Sequence, residues 1–221
     1  MRSFDEIYEL SAHRKGGADA LELLIGSTPK SAKALANIPD DRWLAIMTKC
    51  IFQAGFNWKV VDAMWPGFEE AFEGFEIGHC LMLMDEDFER LVSDTRIVRY
   101  GAKIRAVQQN AGFIASMADQ GGIGKVIGEW PSNDYIGLLA MLKKQAARMG
   151  GNTGQYCMRF QGRDGFILSR DVISRLIAEN VIDKEPKSQK AMAQVQNAFN
   201  IWMDQSGRSL TEVSRVVAMS L

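Results

Sequence analysis

The 221-residue sequence holds little from which a metal centre or a disulfide framework could be built: three cysteines (Cys50, Cys80, Cys157) and two histidines (His13, His79). The cysteines are an odd set without the paired spacing of a zinc site, and each falls in an apolar helical context where a thiol behaves as a small hydrophobe. No disulfide and no metal are expected. The chain nowhere reaches the roughly eighteen consecutive apolar residues of a membrane-spanning helix, and MRSFDEIYELSAHRKGG has no apolar run that would serve as a signal peptide. A soluble, cytoplasmic protein without membrane contact is the expectation. Net charge is also scarce, at −1, which excludes wrapping of DNA by bulk positive charge; any nucleic-acid contact must come from a local patch. Alternating β-branched segments that would signal strands are missing. What remains is an all-α protein, with 47% hydrophobic residues to fill one core or two lobes sharing an interface.

Helical patterns run along the whole chain. Phe4 to His13 and Asp19 to Ile25 read as short amphipathic helices, and Ser27, Thr28 and Pro29 mark a stop. Pro39, Asp40 and Asp41 open a strongly apolar helix to Phe52. A helix from Trp58 to Met64 is stopped by Pro66 and Gly67, and Phe68, Ala71, Phe72 and Phe75 continue at helical intervals. Asp85 is read as the N-cap of a stripe through Phe88 and Leu91. Another helix begins around Tyr100 to Lys103 and runs through Ile104, Val107, Ala111 and Ile114. Near the C-terminus, Gln189 to Met203 has a buried face, and Ser209 with Glu212 forms a capping box for a last helix.

The stretch from Leu138 to Arg175, LLAMLKKQAARMGGNTGQYCMRFQGRDGFILSRDVISR, reads as helix, glycine hairpin, helix and loop. The helix through Leu138, Leu139 and Leu142 breaks at Gly150 and Gly151 and restarts at Thr153. Such a break can point several backbone N–H groups outward, glycine lets a phosphate approach the main chain, and a helix N-terminus adds partial positive charge. That grips a nucleic-acid backbone without reading its sequence. The alternative is an ordinary helical corner, since many helices end on a glycine. The neighbourhood favours an anion: Lys143, Lys144, Arg148, Arg159, Arg163, Arg170 and Arg175 stand against only Asp164 and Asp171.

From Ala45 to Met117, and above all in CIFQAGFNWKVV and FERLVSDTRIVRYGAKIRAVQQNA, the chain resembles the 3-methyladenine DNA glycosylase I family, bacterial base-excision repair enzymes with a similar QAG-x-x-W turn. The hairpin is similar to the wider helix-hairpin-helix DNA glycosylase superfamily. The resemblance implies an all-α fold of two helical lobes with a cleft between them: a single unit over 1–221, with one lobe at approximately 38–135 and a second, containing the hairpin, from approximately 1–37 and 136–221. It implies a monomer acting on double-stranded DNA that contains a damaged base, in the bacterial cytoplasm at the nucleoid. Such an enzyme must swing the base out of the stack before acting on it.

In the family's pattern Trp58 is the flat wall for that base, and Gln53 lies in the same turn; a plain core tryptophan is the alternative for Trp58. Cys50 stands where the family carries a glutamate that contacts the alkylated base, three residues before Gln53. The family's zinc-binding cysteines and histidines and its N-terminal tyrosine and tryptophan motif are absent, so no zinc is expected. Gly150, Gly151, Asn152, Thr153 and Gly154 would hold the DNA backbone, with a monovalent cation as the one ion the hairpin could take. Asp171, in ILSRDV, falls where most of the superfamily has a carboxylate that stabilises charge on the sugar and orients water, although the glycosylase I family generally lacks it. The bland alternative makes Asp171 a helix N-cap. Superfamily members that also cut the strand use a hairpin lysine through a Schiff base; Asn152 stands there, implying a monofunctional hydrolase that leaves an abasic site. Alkylated bases are the expected substrates. A non-catalytic helix-hairpin-helix DNA-binding protein is the rival reading, and a helical protein adaptor without a DNA role is a third.

Overall fold

The structure, a computed structural model, describes residues 1–26 and 28–221, so Ser27 of the expected Ser27–Pro29 stop lies outside the described residues. Among the described residues the chain forms α-helices and short 3-10 turns and no strand. It divides into two compact units, one of Met1–Lys30, Trp130–Leu138 and Gly162–Leu221 and the other of Ser31–Glu129 and Leu139–Gln161.

In the first unit an aromatic series forms the core. Tyr135 meets Phe166 edge-on at 5.0 Å, Phe166 stacks on Phe199 at 4.8 Å, and Phe199 meets Trp202 edge-on at 5.6 Å. The expected box of Ser209 and Glu212 caps the last helix, Leu210–Met219, and Ser3 with Glu6 does the same for Phe4–Lys15. Reciprocal capping of this kind satisfies N–H groups that a helix cannot satisfy internally. Two arginines of the basic stretch are consumed by this unit's interior. Arg163 is buried and donates to the Trp130 and Asp164 carbonyls and to Ser132 Oγ. Arg175 is buried on Glu179 and on the Ser220 hydroxyl and carbonyl.

The second unit is arranged around the helix Asp40–Gln53, which buries Trp43, Leu44, Met47, Ile51 and Phe52. It packs against the helix Gly101–Ala115 on one side and Asn152–Gln161 on another. The hairpin segment Leu139–Gln161 therefore belongs to this unit, whereas the sequence reading grouped it with the terminal segments. One helix cap also differs from expectation. The backbone of Met84, not Asp85, caps Asp85–Ser93, with the Asp87 carboxylate accepting from Met84 N at 3.1 Å. The helix Trp58–Ala63 does end before Pro66, at its C-cap Met64, and Pro66 occupies the first turn of the next helix, Trp65–Ala71, where its missing N–H costs nothing.

The glycine-rich segment GGIGKVIGEW forms a helix, Ile123–Glu129, that the sequence reading passed over. Its glycines permit close backbone contact with the helix Ala32–Ala36: a Cβ on Gly124 would lie 2.4 Å from the Leu35 carbonyl oxygen, and one on Gly128 would lie 2.8 Å from that of Ala32. Gly124→Val is expected to destabilise the protein by about 2–3 kcal/mol through overpacking, read as a lowered urea midpoint; an unchanged midpoint would show that the two backbones can part freely.

Candidate nucleic-acid interface

The hairpin joins the helix Tyr135–Gln145 to Asn152–Gln161. Its turn uses two left-handed residues, Arg148 at φ 58° and Gly151 at φ 59°. Gly150 is not one of them, so only the second glycine of the pair is required by conformation. Gly154 is required by proximity, because a Cβ there would meet the Met149 carbonyl oxygen at 2.4 Å. Met149 points inward and is 1% exposed, while Arg148, Gly151 and Asn152 are exposed. The bend thus stands in solvent with a helix N-terminus behind it, where the first N–H groups have no partner within the helix.

The turn is held by a residue that sequence reasoning missed. Asn110 is fully buried in Gly101–Ala115; its Oδ1 accepts from Ala147 N at 2.8 Å, and its Nδ2 donates to Ala147 O at 3.2 Å. A signal was available, since Asn110 interrupts the apolar face of Val107, Ala111 and Ile114 at helical spacing. Lys103, on the same helix and 6% exposed, was missed as well. Its Nζ donates to Ala54 O at 2.6 Å and Phe52 O at 3.3 Å, and it lies 4.5 Å from the Phe56 ring centroid. A cation at these carbonyls complements the end of Asp40–Gln53 and fixes the QAGFNW turn. Burial lowers the Lys103 pKa, and the neighbouring Arg148 charge acts in the same direction.

Trp58 is 41% exposed, so it is not a plain core tryptophan. It opens the helix Trp58–Ala63, capped by Asn57. Its ring meets Tyr156 at 5.2 Å and Phe160 at 5.8 Å, both edge-on. Those two residues belong to the helix that starts at the hairpin. Gln53 is buried; its Nε2 donates to Asp62 Oδ1 at 3.2 Å, where Lys49 also pairs at 2.8 Å, and its Oε1 has no hydrogen-bond partner. Cys50 is buried, and its thiol pairs with that of Cys157; this hydrogen bond and burial raise the Cys157 pKa well above the usual thiol range.

Asp171, in the first unit, lies in the first turn of Arg170–Ala178. The N-cap there is Ser169, whose Oγ accepts from Val172 N at 3.3 Å. Asp171 is therefore not the cap. It is exposed, and no side chain pairs with its carboxylate among the described residues. Among those residues no group of three or more His, Cys, Asp or Glu could hold a metal ion, and no helix is long and apolar enough to cross a membrane.

Two solved structures from Methanocaldococcus jannaschii align over nearly the whole chain. One is an 8-oxoguanine glycosylase/lyase in complex with a 15-mer DNA containing 8-oxoguanine, at TM-score 0.55 and 16% identity over 96% of this chain and 95% of that one. The other, an 8-oxoguanine DNA glycosylase, aligns at TM-score 0.51 and 19% identity over 96% and 89%. A 3-methyladenine DNA glycosylase I from Staphylococcus aureus aligns at TM-score 0.49 and 20% identity over 69% and 91%. No curated protein matches.

The fold is that of the helix-hairpin-helix DNA glycosylases. Residues 36–135, a little under half of the chain, match the model of the methyladenine glycosylase family. The segment carries Cys50, Gln53, Trp58, Lys103 and Asn110, and ends before the hairpin turn.

Asn110→Ala removes both bonds to Ala147 and leaves a main-chain donor and acceptor without their partner. The expected cost is about 2–4 kcal/mol, from the usual penalties for unsatisfied buried groups, with faster hydrogen exchange at residues 146–151. Wild-type stability and exchange in the variant would show that the turn is fixed by other contacts.

Proposed function

We propose that this protein hydrolyses the N-glycosidic bond of an alkylated base in double-stranded DNA after extruding the damaged nucleotide, and leaves an abasic site. The observation that carries the reading is the double use of one helix. Asn152–Gln161 begins at the exposed two-glycine bend and also bears Tyr156 and Phe160, which hold Trp58. Tyr156 is about 6 Å farther along the axis than Asn152, at the usual helical rise. A strand held by N–H groups around Gly150, Gly151, Asn152, Thr153 and Gly154 would have an exposed indole close by for an unstacked base. Cationic alkylated bases are already activated leaving groups, because they depart neutral, and need less help to depart.

Asp171 supplies the carboxylate in this reading, stabilising positive charge on the sugar and orienting water. The exposed Asn152, in place of a hairpin lysine, leaves no amine there for a Schiff base, so the strand is not cut. The protein acts as a monomer in the cytoplasm and needs no zinc. A monovalent cation at the bend would find main-chain carbonyls such as that of Met149, packed against Gly154, and would supply only charge for the phosphate.

The rival reading, a DNA-binding module without base chemistry, is favoured by one observation: the side chain at position 50 is a buried thiol paired with another thiol and offers the base no carboxylate. Asp171→Asn on methylated DNA separates the two. The glycosylase reading expects base release to fall by about a hundredfold or more, a typical loss for a group that stabilises transition-state charge, while affinity for DNA is kept. Equal release from both proteins would remove Asp171 from the mechanism, and release from neither would favour the rival.

A further inference from the structure

Arg148 adopts φ 58°, a left-handed conformation that is uncommon and strained for a residue with a side chain. The turn could have been built with glycine, as it is three residues later. What arginine gains is a stationed guanidinium. Its Nε donates to Ala102 O at 3.2 Å, and its Cζ lies 5.9 Å from the centroid of the half-exposed Tyr100 ring. Both Nη groups, with four N–H donors, have no partner among the described residues, and Arg148 forms no ion pair there. A neighbouring charge is of like sign: Lys103 Nζ lies 5.7 Å from the centroid of the same ring, and the two cations act on each other. Two cations converge on one tyrosine with no carboxylate between them, an arrangement that repels itself until an anion arrives. The strain and the like charge would be tolerated where binding repays them.

We propose that Arg148 is a phosphodiester-binding residue, its two Nη groups taking the non-bridging oxygens of one DNA backbone phosphate beside the bend. The inference rests on the DNA glycosylase reading and adds a charged side chain to the main-chain contacts proposed above. A planar guanidinium suits two phosphate oxygens at once, and the contact carries no base information. With Lys103 buried beneath the QAGFNW turn and Arg148 exposed, Arg148 is the member of the pair that can reach a strand.

Arg148→Gly is the informative variant, because glycine is at ease at φ 58° and the hairpin should fold at least as well. Binding of an undamaged duplex is measured by fluorescence anisotropy between 50 and 200 mM KCl. The variant is expected to bind about tenfold more weakly, and its log–log salt slope should be shallower by about 0.9, the value for one phosphate. Its Tm should match or exceed that of the wild type, and Arg148→Lys should recover most of the slope. An unchanged slope in Arg148→Gly overturns the proposal, as does a fall in Tm with normal affinity, which would make Arg148 a structural prop. If the wild type binds duplex DNA without any salt dependence, the DNA reading itself fails, and this proposal with it. A Tm rise with inorganic phosphate that is lost in Arg148→Gly, without an effect on DNA binding, would make this a free-phosphate site and also overturn the proposal.

Discussion

The hydrogen-bond pair between the Asn110 side-chain amide and the main chain of Ala147 is the constraint on which the hairpin depends. A turn with two left-handed residues, one of them arginine, is not a conformation that the local chain would choose alone. A buried amide that both donates and accepts can select it, because a wrong turn would leave up to four polar groups unpaired in the interior. From that pairing follow the outward placement of Arg148 and Gly151, the inward placement of Met149, and the start of the next helix at Asn152.

The helix Asp40–Gln53 transmits the same order to the aromatic side. Its end is fixed by Lys103, about two helical turns before Asn110 on the same supporting helix, so the QAGFNW turn and the hairpin turn are set from a single rod. The rod supplies a lysine for one turn and an asparagine for the other, both buried. Between the two clamped turns, the Cys50 and Cys157 thiols meet inside the unit. With burial and their mutual hydrogen bond opposing ionisation of Cys157, the pair serves packing and not nucleophilic chemistry. Trp58 and Phe160, with the half-buried Tyr156 between them, close this region with two exposed rings, which is an unusual use of large aromatics unless something flat is to meet them.

Much of this was legible in the sequence where one residue type has one physical use. The Ser209–Glu212 box, the acid-rich opening at Asp40, the helix from Gly101 and the exposed glycine bend were all read from local chemistry, and the QAGFNW segment was read from resemblance. What escaped was decided by distant partners. The helix of Gly124 and Gly128 was passed over because the value of its glycines lies in the backbone of another helix. Arg163 and Arg175 read as part of a basic surface because the Trp130 and Ser220 carbonyls that help to bury them are far away in the chain. Asp171 read equally as cap or catalyst until Ser169 was seen to fill the cap. Asn110 and Lys103 were in plain view on an apolar face, where a polar residue has to find partners of its own.

The central claim is that a strand held at the Asn110-fixed bend presents an extruded damaged base to Trp58 for hydrolysis. Single-turnover base release from a panel of duplexes, each with one defined lesion, tests it most directly. The account predicts release of alkylated purines, with the strand left uncut until the abasic site is treated with alkali. Release from no duplex in the panel, or spontaneous strand cleavage accompanying release, would contradict it.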